Sequence, residues 1–305
     1  MSHDEMKHSR AGGNGWRKRW LVLGALLLAA FVAAACGSDA GEQGNGRLRV
    51  VTTLELFADL VRQVAGERVE VKSLLPSGAD PHTYELTPSR VADIAGADLA
   101  FANGLGLEGN VLDVIEENAG GPVVELTEGL DTLNNNPHLW LDARNAMRYV
   151  ETIRDALIEQ DAEGRDVYEA NTEAYLKELG SLDRIMEAAL QAIPPERRKL
   201  VTFHDAFPYL ARRYGLEIVA VAVPSPGQEP SVRDVAELTE TLRSEAVPAV
   251  FREPQFNARV LELAAADAGV RVLDLLSDAY TEDVDSYLDL MRFNLRQLQE
   301  GLGGD

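Results

Sequence analysis

From Arg47 onward the chain alternates short runs of apolar, largely β-branched residues with stretches whose apolar positions recur every three or four residues. LRVVTTLEL (48–56) and VEVKSLLP (69–76) read as strands, with FADLVRQVAGE between them as a helix. TPSRVADIAGA has Thr87 in a capping position and Pro88 at the first helical turn, and so predicts a helix. DLAFANG and PVVELT follow as further strands. This βαβα order predicts a parallel sheet covered by helices. Residues 143–193, from ARNAMRYVETIRDALIEQ to YLKELGSLDRIMEAALQAI, are helical in pattern almost throughout, until Pro194-Pro195 stops the run. The alternation then resumes. RKLVTFH (198–204), EIVAVAV, AVFREPQ and VRVLDLL are strands. AFPYLARRYG (closed by Gly215), SVRDVAELTETLRSEA (capped by Ser231), ARVLELAAADAG and a segment from about 283 to 300 are helices.

The fold class is therefore α/β, with two parallel-sheet lobes of similar size. The stretch 165–193 is too long for a simple crossover and lies mid-chain, so it is expected to be a single long, stiff helix joining them. The expected boundaries are 48–164 for the N-terminal lobe, 165–193 for the connecting helix and 194–305 for the C-terminal lobe. No local repeat is evident.

The first 47 residues have another character. Arg17, Lys18 and Arg19 precede LVLGALLLAAFVAAA (21–35), an uncharged run of the length of a signal-peptide core and short of the roughly 20 residues that span a bilayer. It ends at Ala33-Ala34-Ala35-Cys36, which resembles a bacterial lipobox in which the cysteine is lipidated, although Ala33 stands where Leu is usual. Cys36 is the only cysteine, so it can neither form an internal disulfide nor build a thiolate zinc site. Residues 1–35 are read as a signal peptide and 36–47 as a lipid-anchored, Gly-rich flexible tether.

Composition narrows the partners. The 305 residues include 46% hydrophobic positions, ample for two buried cores, and carry a formal charge of −21. Such a chain would be repelled by phosphate, which argues against nucleic acid as a partner. Two of the five histidines, His3 and His8, lie in the signal segment. The other three fall in loops and at strand ends: His82 in SGADPHTYEL, His138 in NNNPHLWLD and His204 at the end of LVTFH. Ligands of open parallel sheets bind beyond the carboxyl ends of the strands, so the cleft between the lobes is where these histidines could meet. Neutral imidazoles suit zinc, and a carboxylate commonly completes such a set. Glu253 and Asp274 stand at strand ends, with Asp278 as a further candidate. Taken singly, His82 and His138, which each follow a proline, could be surface loop residues, and His204 could be a strand-end residue hydrogen-bonded to a neighbouring carboxylate.

PHTYELTPS, ADLAFANGLGLEG, NPHLWLD, VTFHDAFPYLARRYGL, SPGQEPS and FREPQF together make the chain, from about Val50 to Leu302, resemble the metal-binding substrate-binding proteins of ABC transporters for zinc and manganese. The resemblance implies two lobes joined by one long rigid helix with the metal between them. It implies a membrane permease as partner and His82, His138, His204 and Asp274 as ligands. At the last position the family usually shows Asp-Pro-Leu and this chain has Asp-Leu-Leu. Manganese members often have Glu at the third position, so His204 points to Zn2+. The segment TEGLDTLNNN stands where many zinc members carry a long His-rich loop, which keeps Mn2+ or Fe2+ open. Outer partners of the ligands are sought among Glu85, Asn103, Glu108, Asp142, Asp205 and Glu229, of which Asp142 and Asp205 could simply cap helices. The expected role is reversible capture by a monomer and not catalysis. A three-His zinc hydrolase is the competing class, but no H-E-x-x-H motif is present. Nothing in the sequence selects for an adhesin role.

Overall fold

The computed structural model describes residues 47–228 and 230–303, and the part from Arg47 on forms one compact unit. The expected signal peptide, Cys36 and Glu229 lie outside the described residues. The first lobe contains β1 (Leu48–Thr52), α1 (Glu55–Ala65), β2 (Val69–Ser73), α2 (Pro88–Ala95), β3 (Leu99–Ala102), α3 (Asn110–Asn118) and β4 (Val123–Glu125). Two helices follow, α4 (Ala143–Gln160) and α5 (Arg165–Gln191). The second lobe contains β5 (Lys199–His204), α6 (Pro208–Tyr214), β6 (Glu217–Val223), α7 (Val232–Ser244), β7 (Ala249–Arg252), α8 (Arg259–Ala268), β8 (Arg271–Asp274) and α9 (Tyr287–Leu302). Both sheets are parallel throughout and wound alike, in the orders β2-β1-β3-β4 and β6-β5-β7-β8.

The central strands are buried on both faces, which explains their near-continuous apolar runs. Alternation along each strand sends successive residues to different cores. Val50 faces the large core and Val51 the layer beneath α2 and α3; Leu200 and Val201 divide in the same way in the second lobe. The large core does not stop at the lobe boundary. Phe57, Trp140, Tyr149, Leu179, Tyr209, Phe251 and Leu298 belong to one continuous buried cluster.

Local chemistry explains the ends of several elements. Ser231 and Asp234 form a reciprocal capping box at α7, and Gly215 closes α6 in the left-handed region at φ 73°. Thr87 precedes α2 without capping it, because its hydroxyl turns to Ser89 Oγ at 3.0 Å. The strand expected over 48–56 ends at Thr52, since α1 already begins at Glu55. The pattern reading also passed over α3, a short helix with only Val111 and Ile115 buried.

The 27-residue α5 packs against α4, α1 and α9. It is fastened to the second lobe by Arg213, whose guanidinium donates to both oxygens of Asp183 (2.8 and 2.6 Å) and to both of Glu187 (2.9 and 3.0 Å). Tyr214 adds a hydroxyl to Asp183 at 3.2 Å. Arg213→Ala would strand a mostly buried carboxylate, and is expected to lower unfolding stability by about 3 kcal/mol. The check is a urea titration, in which the midpoint falls at unchanged slope.

Candidate metal centre

The strand ends deliver the histidines from opposite sides. His82 sits in the loop after β2, where Asp80 accepts its backbone N–H at 3.0 Å and the Thr83 hydroxyl at 2.7 Å. His138 follows β4, in a turn made by Asn136, whose side-chain oxygen accepts the His138 backbone N–H at 3.1 Å. His204 is the last residue of β5, and the Thr202 hydroxyl holds its carbonyl at 2.9 Å. Asp278 comes from the loop after β8.

These four residues offer ligand atoms that all lie within 4.8 Å of one another. His138 Nε2 is 3.3 Å from His204 Nε2 and 3.5 Å from Asp278 Oδ1, and His82 Nε2 is 4.0 Å from Asp278 Oδ2. Two nitrogens bound to one tetrahedral zinc at 2.0–2.1 Å would stand about 3.4 Å apart, so the spacing is that of a coordination polyhedron. His138, His204 and Asp278 are buried, and the His82 side chain, 14% exposed, forms the side that meets solvent. Trp140 lies 5.3 Å from the His138 ring and Phe256 5.2 Å from the His204 ring, so both imidazoles pack against aromatic surface.

The outward nitrogens decide which way the lone pairs point. His138 Nδ1 meets Asn136 Oδ1 at 3.0 Å, and His204 Nδ1 meets Glu253 Oε2 at 2.5 Å. Each acceptor requires a proton on Nδ1, which leaves Nε2 as an acceptor facing the centre. Ser277 in turn donates its hydroxyl to Glu253 Oε1. His82 Nε2 and both oxygens of Asp278 are buried without a hydrogen-bond partner. Ligand-competent nitrogens and carboxylate oxygens that gather in a buried group, several of them without a hydrogen-bond partner, are what a cation requires.

Protonation follows the same environment. Burial pushes the His82 imidazole down to about 4 and His138 well below its ordinary value, each helped by the neighbouring His204. For His204 burial acts downward too, but the Glu253 carboxylate and its hydrogen bond outweigh it and raise the value. Burial lifts Asp278 to about 7.

The structure does not place Asp274 in this group. Its carboxylate accepts from Arg252 Nε at 2.7 Å, and it sits at the end of β8, four residues short of the centre. The further loop residues after β8 are needed to reach the cleft, so Asp278 takes the place expected for Asp274. Glu253 stands behind His204 as its partner. Of the expected outer partners among the described residues, none bonds a ligand ring. Glu85 is exposed and lines a cavity of about 450 Å3 beside His82. Asp142 caps α4 through the Arg144 backbone N–H at 2.9 Å. Asp205 does not cap α6; its carbonyl accepts from the Asn136 side chain at 2.6 Å and so orients the partner of His138. Asn103 donates to the Pro137 carbonyl at 2.9 Å and accepts from the Tyr149 hydroxyl at 2.7 Å. Glu108 accepts from the Thr53 hydroxyl at 2.9 Å and from the Asn103 backbone at 2.6 Å. Gly104 permits that loop: its φ is +85°, and a Cβ there would lie 1.9 Å from Glu125 Oε2. Asn136 and Ser277 escaped the sequence reading, although Asn136 could have been suspected as an Asx-turn residue before Pro137-His138.

Comparison with known proteins agrees with this geometry. The chain is 32% identical over 293 residues to the manganese-binding lipoprotein MntA of Halalkalibacterium halodurans, covering 91% of this chain and 96% of that one. It is 31% identical over 304 residues to the manganese ABC transporter substrate-binding lipoprotein PsaA of Streptococcus pneumoniae, covering 91% and 98%. Among solved structures, the periplasmic zinc binding protein TroA from Treponema pallidum superposes with a TM-score of 0.79 at 28% identity, over 85% of this chain and 100% of that one. A manganese-bound periplasmic metal binding protein from candidatus Liberibacter asiaticus gives 0.76 at 25% identity, over 84% and 100%. Over residues 50–301 the chain matches the family described as ZnuA, zinc-uptake complex component A, periplasmic, and it belongs to that family.

Proposed function

We propose that this protein captures Zn2+ through His82, His138, His204 and Asp278 and hands it to the permease of an ABC transporter. Members of its family are extracytoplasmic substrate-binding proteins and not enzymes. The single observation that carries the ligand assignment is the convergence of three imidazoles and a carboxylate from both lobes, with His82 Nε2 and both Asp278 oxygens buried and unpartnered. Four protein donors fill a tetrahedral shell and leave no open position at which a water could be activated, which disfavours the hydrolase reading. Zinc is preferred because three neutral nitrogens and one carboxylate suit a borderline cation better than a hard, oxygen-preferring one. Manganese is the second reading, favoured by the names of MntA and PsaA. Anchoring through a lipidated Cys36 after removal of residues 1–35 accords with relatives named as lipoproteins. Among the described residues no helix is long and apolar enough to cross a membrane.

Calorimetric titration of residues 37–305 with Zn2+ and Mn2+ tests the assignment. One tight zinc site is expected. His204→Ala should weaken it by at least the roughly ten- to hundred-fold that loss of an outer partner costs. Asp278→Asn should abolish most binding while raising the melting temperature of the metal-free protein, because a buried carboxylate is removed. Asp274→Asn should leave binding near that of the parent. Clear preference for manganese would overturn the zinc assignment, and loss of binding in Asp274→Asn alone would overturn the ligand set.

The pH dependence has a definite sign. Metal requires His204 neutral and Asp278 charged, and both have raised values, Asp278 to about 7. Protons therefore compete below about pH 7, and affinity should fall by up to about ten-fold per pH unit for each proton displaced as pH drops from 8 toward 5.5. His82 contributes nothing to this window, since it stays neutral down to about 4. Calorimetry in buffers of different ionisation enthalpy should register proton release at pH 6.5 and less of it at pH 8.5.

A further inference from the structure

The Asp278 carboxylate faces His82 and His138 but is fixed by no hydrogen bond. Both oxygens lack a hydrogen-bond partner, so its position is decided by the segment that carries it, residues 275–286 between β8 and α9. That segment is irregular apart from a single bridge between Thr281 and Val284. Before Asp278 it is well anchored. Leu276 exchanges two bonds with the Asn294 side chain, both at 2.8 Å, and the Ser277 carbonyl accepts from Trp140 Nε1 at 2.9 Å.

After Asp278 the anchor is a carboxylate from the other lobe. Asp59 lies on α1 and is only 6% exposed. Its Oδ2 accepts the Tyr287 backbone N–H at 2.8 Å and lies 3.4 Å from the Tyr280 hydroxyl, and its Oδ1 accepts from Gln63 Nε2 at 3.0 Å. Tyr287 is the first residue of α9, so its N–H is one of the donors that the helix itself cannot satisfy. The local cap, Ser286, serves the Asp289 N–H instead. Asp59 thus caps a helix of the second lobe from the first, with its charge at the positive end of the helix dipole. Tyr280 and Tyr287 bracket the return of the Asp278 segment into the core. The Tyr287 hydroxyl also donates to the Trp140 carbonyl at 2.7 Å, which closes the far anchor onto the near one.

We propose that Asp59 is a positioning residue for the metal: by capping α9 across the lobe boundary it holds the Asp278 segment in the geometry that closes the coordination shell. This rests on the reading of Asp278 as a ligand. Because Asp59 touches no ligand atom, it acts on how long the carboxylate stays in place. Its loss therefore speeds metal dissociation and leaves association, which begins at the solvent-facing His82, nearly unchanged.

The test uses zinc release from residues 37–305 into excess chelator, together with hydrogen–deuterium exchange of residues 277–287 in the metal-free protein. Asp59→Ala is expected to accelerate zinc dissociation roughly ten-fold with an association rate within about two-fold of the parent. Amide exchange should rise in 277–287. Asp59→Asn keeps an oxygen for the Tyr287 N–H and should return most of the effect; Asp59→Leu, similar in size but without an acceptor, carries the test if the alanine variant does not fold. Arg213→Ala, a destabilised control whose side chain makes no hydrogen bond or ion pair to residues 277–287, should dissociate zinc at the parental rate. A parental dissociation rate in Asp59→Ala (or in Asp59→Leu where it replaces it), or equal acceleration in Arg213→Ala, would overturn the proposal alone. Failure of the parent protein to bind zinc would overturn the ligand reading and this one with it.

Discussion

Three imidazoles and a carboxylate face one another in a largely buried space, and the rest of the molecule is organised around holding them there. The His138 and His204 Nε2 atoms stand 3.3 Å apart, and both oxygens of Asp278 are unpartnered. In a low-dielectric surrounding such an arrangement is unfavourable until a cation or a proton enters it. The raised values of His204 and Asp278 express the same imbalance. The binding free energy of the metal is therefore set partly by how firmly the scaffold prevents these groups from relaxing apart.

That firmness comes from joining the lobes. One buried cluster runs from α1 through Trp140 and α5 to α9, so separating the lobes would expose a continuous apolar core. Polar ties reinforce it around the site. Trp140 Nε1 reaches the Ser277 carbonyl, and the Tyr209 hydroxyl donates to the Asn136 carbonyl at 2.8 Å while accepting the Leu133 N–H at 2.9 Å. In such a body local movement of the loops that carry His82 and Asp278 costs less than wide closure of one lobe on the other. The α5 helix, bound to the second lobe through Arg213, favours the same economy of motion.

The two lobes are wound alike but use equivalent positions differently. The Thr52 hydroxyl bonds the Leu54 carbonyl at 2.9 Å beyond β1, and the Thr202 hydroxyl bonds the His204 carbonyl at 2.9 Å at the end of β5. Immediately after β3 stands Asn103, and after β7 stands Glu253. In the first lobe these positions hold Leu54, which packs in the core, and Asn103, which braces the turn before His138. In the second they hold a histidine and its carboxylate partner. One backbone plan therefore supplies a structural bracket on one side and part of the converging histidine group on the other.

Much of this was legible in the residues themselves. Apolar periodicity located all eight strands and the long helices, because burial on two faces or along one stripe leaves a local imprint. The bounds of α4 and β6 agree with the pattern, whereas α3 left little trace, since only two of its residues are buried. The three histidines stood out because loops after parallel strands have few other uses for them. What the sequence by itself determined is thus the α/β class, the two lobes, the connecting helix and three of the four converging residues. Only the tertiary structure decided that Asp278 and not Asp274 completes the group, that Glu253 and Asn136 orient the imidazoles, and that Asp59 reaches α9 from the other lobe. The physical reason is that an irregular loop carries no periodic signal of where its side chains end, and a bond such as that from Tyr287 to Asp59 joins residues whose adjacency exists only after the chain has folded.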